Sequence, residues 1–255
     1  MRDWGGGRTR NRPASTFSSL SYSLVDKAEV SVAVLQTTTC HSYGHPEFRI
    51  TYDPGIVPVD DDVRWLAGWL EESVAQGKRF AARQTCQVGW VVTDVRLGED
   101  GVLSLWEPDM RVLPVTWKQS VSTTIARLRL QKDVVESVLP PDDLSFPSMR
   151  QSAIICSRFG ENNGLVMERR QPSETDSGWF CGCSGGDHDH NSVAELRRVS
   201  LYEAVIRCGS QIVPYLALPA GVLVAVSGKA PAIFVDNKPL RFKHGSFLAV
   251  HYPSP

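Results

Sequence analysis

Residues 121–148 read VSTTIARLRLQKDVVESVLPPDDLSFPS, and this stretch decides how the chain is divided. Val121, Ile125, Leu128, Val135 and Val138 recur at helical spacing, so one stripe is apolar, while Arg127, Lys132 and Glu136 lie elsewhere on the circumference. Pro140-Pro141 lacks the N–H groups that would continue the ladder, and the helix must stop there. Asp142 to Ser148 is short and polar and contains a further proline, which is the composition of a linker. A boundary is therefore expected at 142–148. It separates an N-terminal unit at 40–148 from a second unit at 149–237, with a poorly ordered leader at 1–39 and a tail or edge strand at 238–255.

Upstream of that helix, Asp53-Pro54-Gly55 is a turn. Asp60-Asp61-Asp62 then precedes Val63, Leu66, Trp69, Leu70 and Val74, an amphipathic helix that Gly77 ends. Three aspartates in a row also suit a metal, but carboxylates at a helix start are accounted for by its dipole and its free N–H groups. Thr85 to Leu97 reads as one strand, Gly98-Glu99-Asp100-Gly101 as a hairpin loop into Val102 to Trp106, and Pro114 to Trp117 as a short third strand. Downstream, Ala153 to Cys156 and Leu165 to Arg170 read as a hairpin around Gly160 to Gly164. Gln171 to Ser192 follows as a polar loop, Ser200 as the N-cap of a short helix ending near Gly209, and Leu216 to Val226 as a buried strand. The fold class expected is α+β: two small mixed domains, each an antiparallel sheet with packed helices.

Composition narrows the function classes. The chain of 255 residues carries 27 Lys+Arg against 28 Asp+Glu, a balance unlike that of a protein held to nucleic acid by phosphate neutralisation. The balance is an average. Residues 37–150 hold 12 basic and 16 acidic side chains and residues 151–237 hold 7 and 9, whereas 1–36 holds 5 and 3 and 238–255 holds 3 and none. Two mildly acidic units between basic ends suit a basic protein partner. No run reaches the ~18–20 apolar residues of a membrane span. The Gly-, Arg- and Ser-rich leader has no continuous apolar region of an export signal, so the cytoplasm is the expected compartment. Six cysteines are too few for a disulfide scaffold of this length.

The least ordinary chemistry lies in Asp176-Ser177-Gly178-Trp179-Phe180-Cys181-Gly182-Cys183-Ser184-Gly185-Gly186-Asp187-His188-Asp189-His190. Cys181, Cys183, His188 and His190 are a candidate zinc set, two thiolates and two imidazoles. A single residue between the cysteines is closer than zinc-site spacing usually allows, and no metal or other cofactor is assigned on this pattern. The same cysteines are candidates for redox or nucleophilic chemistry, for which a pKa-lowering neighbour is required. Ser177 lacks the Gly-x-Ser-x-Gly elbow of a hydrolase nucleophile, and no complete catalytic set is present. The remaining reading is recognition. An acidic, Gly-rich loop with an aromatic anchor presents Asp176, Trp179, Asp187, His188, Asp189 and His190 to a partner, unless Trp179 instead anchors the loop on its own core.

At this loop the sequence resembles a bacterial family of toxin-immunity domains, family thirty-three of the polymorphic-toxin immunity proteins, formerly a domain of unknown function. Ser152-Ala153-Ile154-Ile155-Cys156-Ser157, Met167-Glu168-Arg169-Arg170 and Asp176-Ser177-Gly178-Trp179 carry the resemblance, with Val199 to Tyr202, Ile212 to Leu216 and Pro219-Ala220-Gly221 following in order. It covers 152–226. The segment from His45-Pro46-Glu47 to Gln131 through Val138 resembles an accessory domain that precedes such modules. The resemblance implies a non-catalytic protein that binds a cognate toxin and blocks its active site or substrate approach, with no nucleic acid and no membrane as partner. Oligomeric state is left open. This sequence departs from the family pattern at one place: histidines occupy 188 and 190 where an acidic patch is expected, and Cys181 and Cys183 replace aromatic or polar residues.

Overall fold

Two sheets organise the residues that the computed structural model describes, namely 31–57, 59–159, 164–185, 188–190, 192–228 and 230–253. The first half runs β1 (Ala33–Gln36), β2 (Phe48–Tyr52), α1 (Asp60–Ala75), β3 (Thr85–Val88), β4 (Val91–Leu97), β5 (Leu103–Pro108), β6 (Trp117–Lys118) and α2 (Ser122–Val138). The second half adds β7 (Ser152–Cys156), β8 (Leu165–Arg169), β9 (Asp176–Cys183), β10 (Leu196–Ser200), α3 (Leu201–Cys208), β11 (Val222–Val226), β12 (Ala232–Val235), β13 (Lys238–Pro239) and α4 (Phe247–His251). The architecture is α+β.

In the first sheet the order is β1-β2-β5-β4-β3, with β6 on β5; in the second it is β10-β7-β9-β8-β11-β12-β13. The expectation of two antiparallel sheets is corrected, because each sheet contains one parallel pair. β2 runs parallel to β5, and β7 runs parallel to β9. Parallel neighbours need a long connection. Between β2 and β5 it contains α1 and the β3–β4 hairpin, and between β7 and β9 it contains β8. The expected β7–β8 hairpin is therefore absent, because β9 takes the place between them.

Helix α2 is shared by both sheets. Val121 and Ile125 at its start pack with Phe48, Leu66, Leu70, Val95 and Leu105, while Val134, Val135 and Val138 pack with Met167, Trp179, Leu201, Leu216 and Val224. At about 1.5 Å per residue its 17 residues reach about 25 Å, enough to leave one core and enter the other. Polar anchors hold both ends. The fully buried Glu107 of β5 accepts from the Thr123 and Thr124 amides at 3.2 and 2.7 Å and from the Thr124 hydroxyl at 2.9 Å, a carboxylate set against the positive end of the helix. Further along, Gln131 Nε2 donates to the Val213 carbonyl at 2.9 Å, and Ser137 Oγ accepts from the Leu248 amide at 3.0 Å.

Several local expectations are met and several are corrected. Asp60, Asp61 and Asp62 fill the first turn of α1, where they favour its dipole, but no side chain caps the helix. Ser200 caps α3, its hydroxyl accepting from the Glu203 amide at 3.1 Å. Thr85 to Leu97 is not one strand: the chain reverses at Gly89-Trp90, where Gly89 has φ +60°, and β3 folds back on β4. The third strand is shorter and later than expected, at Trp117–Lys118. Of the expected leader, residues 1–30 lie outside the described residues, whereas Ala33–Gln36 is the edge strand β1, paired with β2. The C-terminal segment supplies the edge strand β13 and the helix α4.

The first sheet also holds a carboxylate whose protonation should matter. Glu47 accepts from Thr37 Oγ1 at 2.5 Å, the His41 amide at 2.9 Å and His41 Nδ1 at 2.8 Å. Burial pushes its pKa up, but these hydrogen bonds outweigh burial and hold it at about 2. An unfolded glutamate titrates near ~4.3, so the stabilisation is complete above that value and is lost as pH falls towards 2. Glu47→Gln is expected to lower Tm at pH 7 and to flatten the decline of Tm between about pH 4.5 and 2. Parallel acid limbs for the two proteins would show that Glu47 does not carry this dependence.

Candidate functional site

The expected polar loop at 171–192 is half strand. β9 occupies Asp176–Cys183 and pairs on both sides. Two glycines permit it. Gly178 has φ +76°, and a Cβ there would meet the Arg170 carbonyl oxygen at 2.2 Å; a Cβ on Gly182 would meet the Phe180 ring at 2.7 Å, which lies across it. These same glycines conceal the strand from a periodicity reading.

Placement on β9 decides the role of each side chain. Trp179 is 1% exposed, and its indole Nε1 donates to the Leu216 carbonyl at 3.1 Å. It is a core residue, not an exposed contact: the alternating pleat turns it inward with Cys181. Asp176 is engaged within the fold, pairing with Arg198 Nη2 at 2.5 Å and accepting from Ser152 Oγ at 2.9 Å. The buried Ser177 donates its hydroxyl to the Ser152 carbonyl at 2.7 Å, which is a structural use.

The cysteines separate. Cys181 sits in the second core, where burial, with Cys208 nearby, holds its thiol well above the usual range. Cys183 is equally buried but belongs to neither apolar core. In place of Cys181 its companion is Cys156, at the end of β7. The parallel register Ile155↔Cys181 leaves Cys156 level with Gly182, one position short of Cys183. His188 Nε2 lies 3.0 Å from Cys156 Sγ and 3.6 Å from Cys183 Sγ, and His190 Nε2 lies 3.5 Å from Cys183 Sγ. The two imidazole centroids are 4.3 Å apart, and Phe180 meets His190 edge-on at 6.1 Å. Ligand atoms of Cys156, Cys183, His188 and His190 all lie within 4.8 Å of one another. Burial pushes the Cys156 thiol up, the Arg158 amide lowers it in part, and the adjacent Cys183 raises it again.

Of the six residues expected to meet a partner, Asp189 is exposed, and His188 and His190 are half-buried in this cluster. Asp187 lies outside the described residues. Sequence reasoning missed Cys156 because its nearness to the loop comes from strand pairing across 27 residues, for which the local pattern carries no signal. No helix among the described residues is long and apolar enough to cross a membrane.

Comparison with known proteins returned one family. No curated protein and no solved structure matches the chain. The model of the Imm33-like domain matches residues 130–236, a longer span than the 152–226 of the sequence resemblance. Its start inside α2 takes in Gln131 to Val138, which had been read with the upstream accessory segment. Residues 130–236 of this chain are therefore similar to the Imm33-like domain.

Proposed function

We propose that the chain is an immunity protein that binds a cognate toxin and neutralises it by covering its active site or substrate approach. The observation that carries this reading is the Imm33-like match over 130–236, which includes the whole second sheet except β13. The charge distribution supports a basic toxin surface as the counterpart, since the acidic excess lies in 37–150 and 151–237. The protein acts by occupancy rather than by catalysis, in the cytoplasm. In keeping with that, the Ser177 hydroxyl is held by a backbone carbonyl. Asp189, exposed on the loop between β9 and β10, is the acidic group of that loop best placed to meet the toxin, beside His188 and His190.

Co-expression with a candidate cognate toxin domain is the test. Cells carrying both are expected to grow and cells carrying the toxin alone to die; equal killing with and without the chain overturns the reading. Asp189→Lys puts a like charge against a basic face and should weaken toxin binding at least about tenfold in a direct titration, which is ~1.4 kcal/mol. Unchanged affinity in a folded Asp189→Lys variant would move the contact surface off this loop.

A further inference from the structure

We propose that Cys156, Cys183, His188 and His190 bind one zinc ion in a closed, four-ligand structural site. The proposal does not rest on the immunity reading, and it replaces Cys181 of the sequence-derived set with Cys156. Zinc takes thiolate at about 2.3 Å and imidazole nitrogen at about 2.0 Å in a tetrahedron, which requires S···N separations of about 3.5 Å. Three of the four sulfur–nitrogen distances are 3.0, 3.5 and 3.6 Å, and all four ligand atoms lie within 4.8 Å of one another. Side chains from two strand ends and a loop therefore already converge on a volume the size of one ion.

The surroundings point the same way. Residues 184–192 read SGGDHDHNS, without one apolar side chain, so hydrophobic burial cannot hold this segment against the sheet. Cys156 and Cys183 are each 1% exposed and outside both apolar cores, and the sulfurs of both lie against the loop's imidazoles. Zinc takes cysteine as the thiolate. A divalent cation displaces both protons, and two thiolates with one Zn²⁺ carry no net charge, which makes burial affordable. Two sulfurs and two imidazoles select a borderline-soft ion over magnesium or calcium. Because four protein ligands complete the tetrahedron, the ion's work is to clamp the β9–β10 loop onto the ends of β7 and β9.

The test uses the full chain, made without an affinity tag in zinc-supplemented medium and purified with reductant. Elemental analysis is expected to give one zinc per chain, falling to a small fraction of that in Cys156→Ser, Cys183→Ser and His190→Ala. Cys181→Ala is expected to keep its zinc. Absence of stoichiometric zinc in the reduced protein overturns the proposal, as does loss of zinc in a folded Cys181→Ala with retention in Cys156→Ser. Should the serine variants fail to fold, cobalt decides on the wild-type chain. Tetrahedral ligand-field bands with thiolate-to-cobalt charge transfer are expected, and an octahedral spectrum lacking charge transfer refutes the site. Metal content is read without any toxin, so failure here and failure of the immunity reading are separate results.

Discussion

Trp179→Ala is expected to destabilise the protein by about 3–5 kcal/mol, seen as a lower urea midpoint with little change in slope. The ring is 1% exposed and packs among Met167, Leu201, Leu216 and Val224 in the second core. Truncation opens a cavity that the strands around β9 cannot collapse to fill, and it removes the 3.1 Å indole bond to the Leu216 carbonyl, leaving that carbonyl the longer bond from Arg169 at 3.4 Å. Against a typical net stability of ~5–15 kcal/mol, that loss puts a sizeable fraction of the chain in the unfolded state at growth temperature. Trp179→Phe keeps most of the volume and loses the hydrogen bond, so about 1–2 kcal/mol is expected. The result that would return Trp179 to a binding surface is an alanine variant as stable as wild type that has lost protection against the toxin.

Arg169→Met is expected to cost about as much, ~3–5 kcal/mol, for a different reason. Arg169 is 2% exposed and its partners are backbone carbonyls: Ser145 at 2.5 Å, Leu216 at 3.4 Å, Ser177 at 3.3 Å, and Leu218. Burial draws its pKa down to about 10, which leaves it charged at neutral pH. The guanidinium fork is what lets one side chain tie the 142–148 segment, the turn before β11 and the start of β9 together. Methionine takes this donor from the Ser145, Ser177 and Leu218 carbonyls in a dry site, while Leu216 keeps the Trp179 indole. Lysine keeps the charge but not the fork, so Arg169→Lys should recover less than half of the loss. Full stability in Arg169→Lys would show that charge alone, rather than the fork, is what the site requires.

What could be read from the sequence was what local spacing controls. The apolar stripes of α1 and α2, the Gly98 to Gly101 turn and the Ser200 cap all depend on residues within a few positions of one another, and each is found near its expected place. The strand β9 escaped because Gly178 and Gly182 interrupt its pattern for reasons that exist only in three dimensions: the Arg170 carbonyl and the Phe180 ring occupy the space a Cβ would need. The parallel pairing of β7 with β9 is equally silent in the sequence, and with it the presence of Cys156 beside Cys183. Three of the four zinc candidates drawn from the loop, Cys183, His188 and His190, lie together in the cluster. The fourth is chosen by the strand order, which turns Cys181 into the core and brings Cys156 to the loop.

Helix α2 serves two hydrophobic interiors along one rod, and the family match begins where it passes from the first to the second. Its length and phase are therefore constrained together. Inserting one residue in the middle turns everything beyond it by about 100° and shifts it by about 1.5 Å. Whichever end keeps its packing, the other then offers its polar face to an apolar interior. Changes of length that a surface loop would absorb are not tolerated here, so any exchange of the upstream sheet for another must carry the whole helix with it.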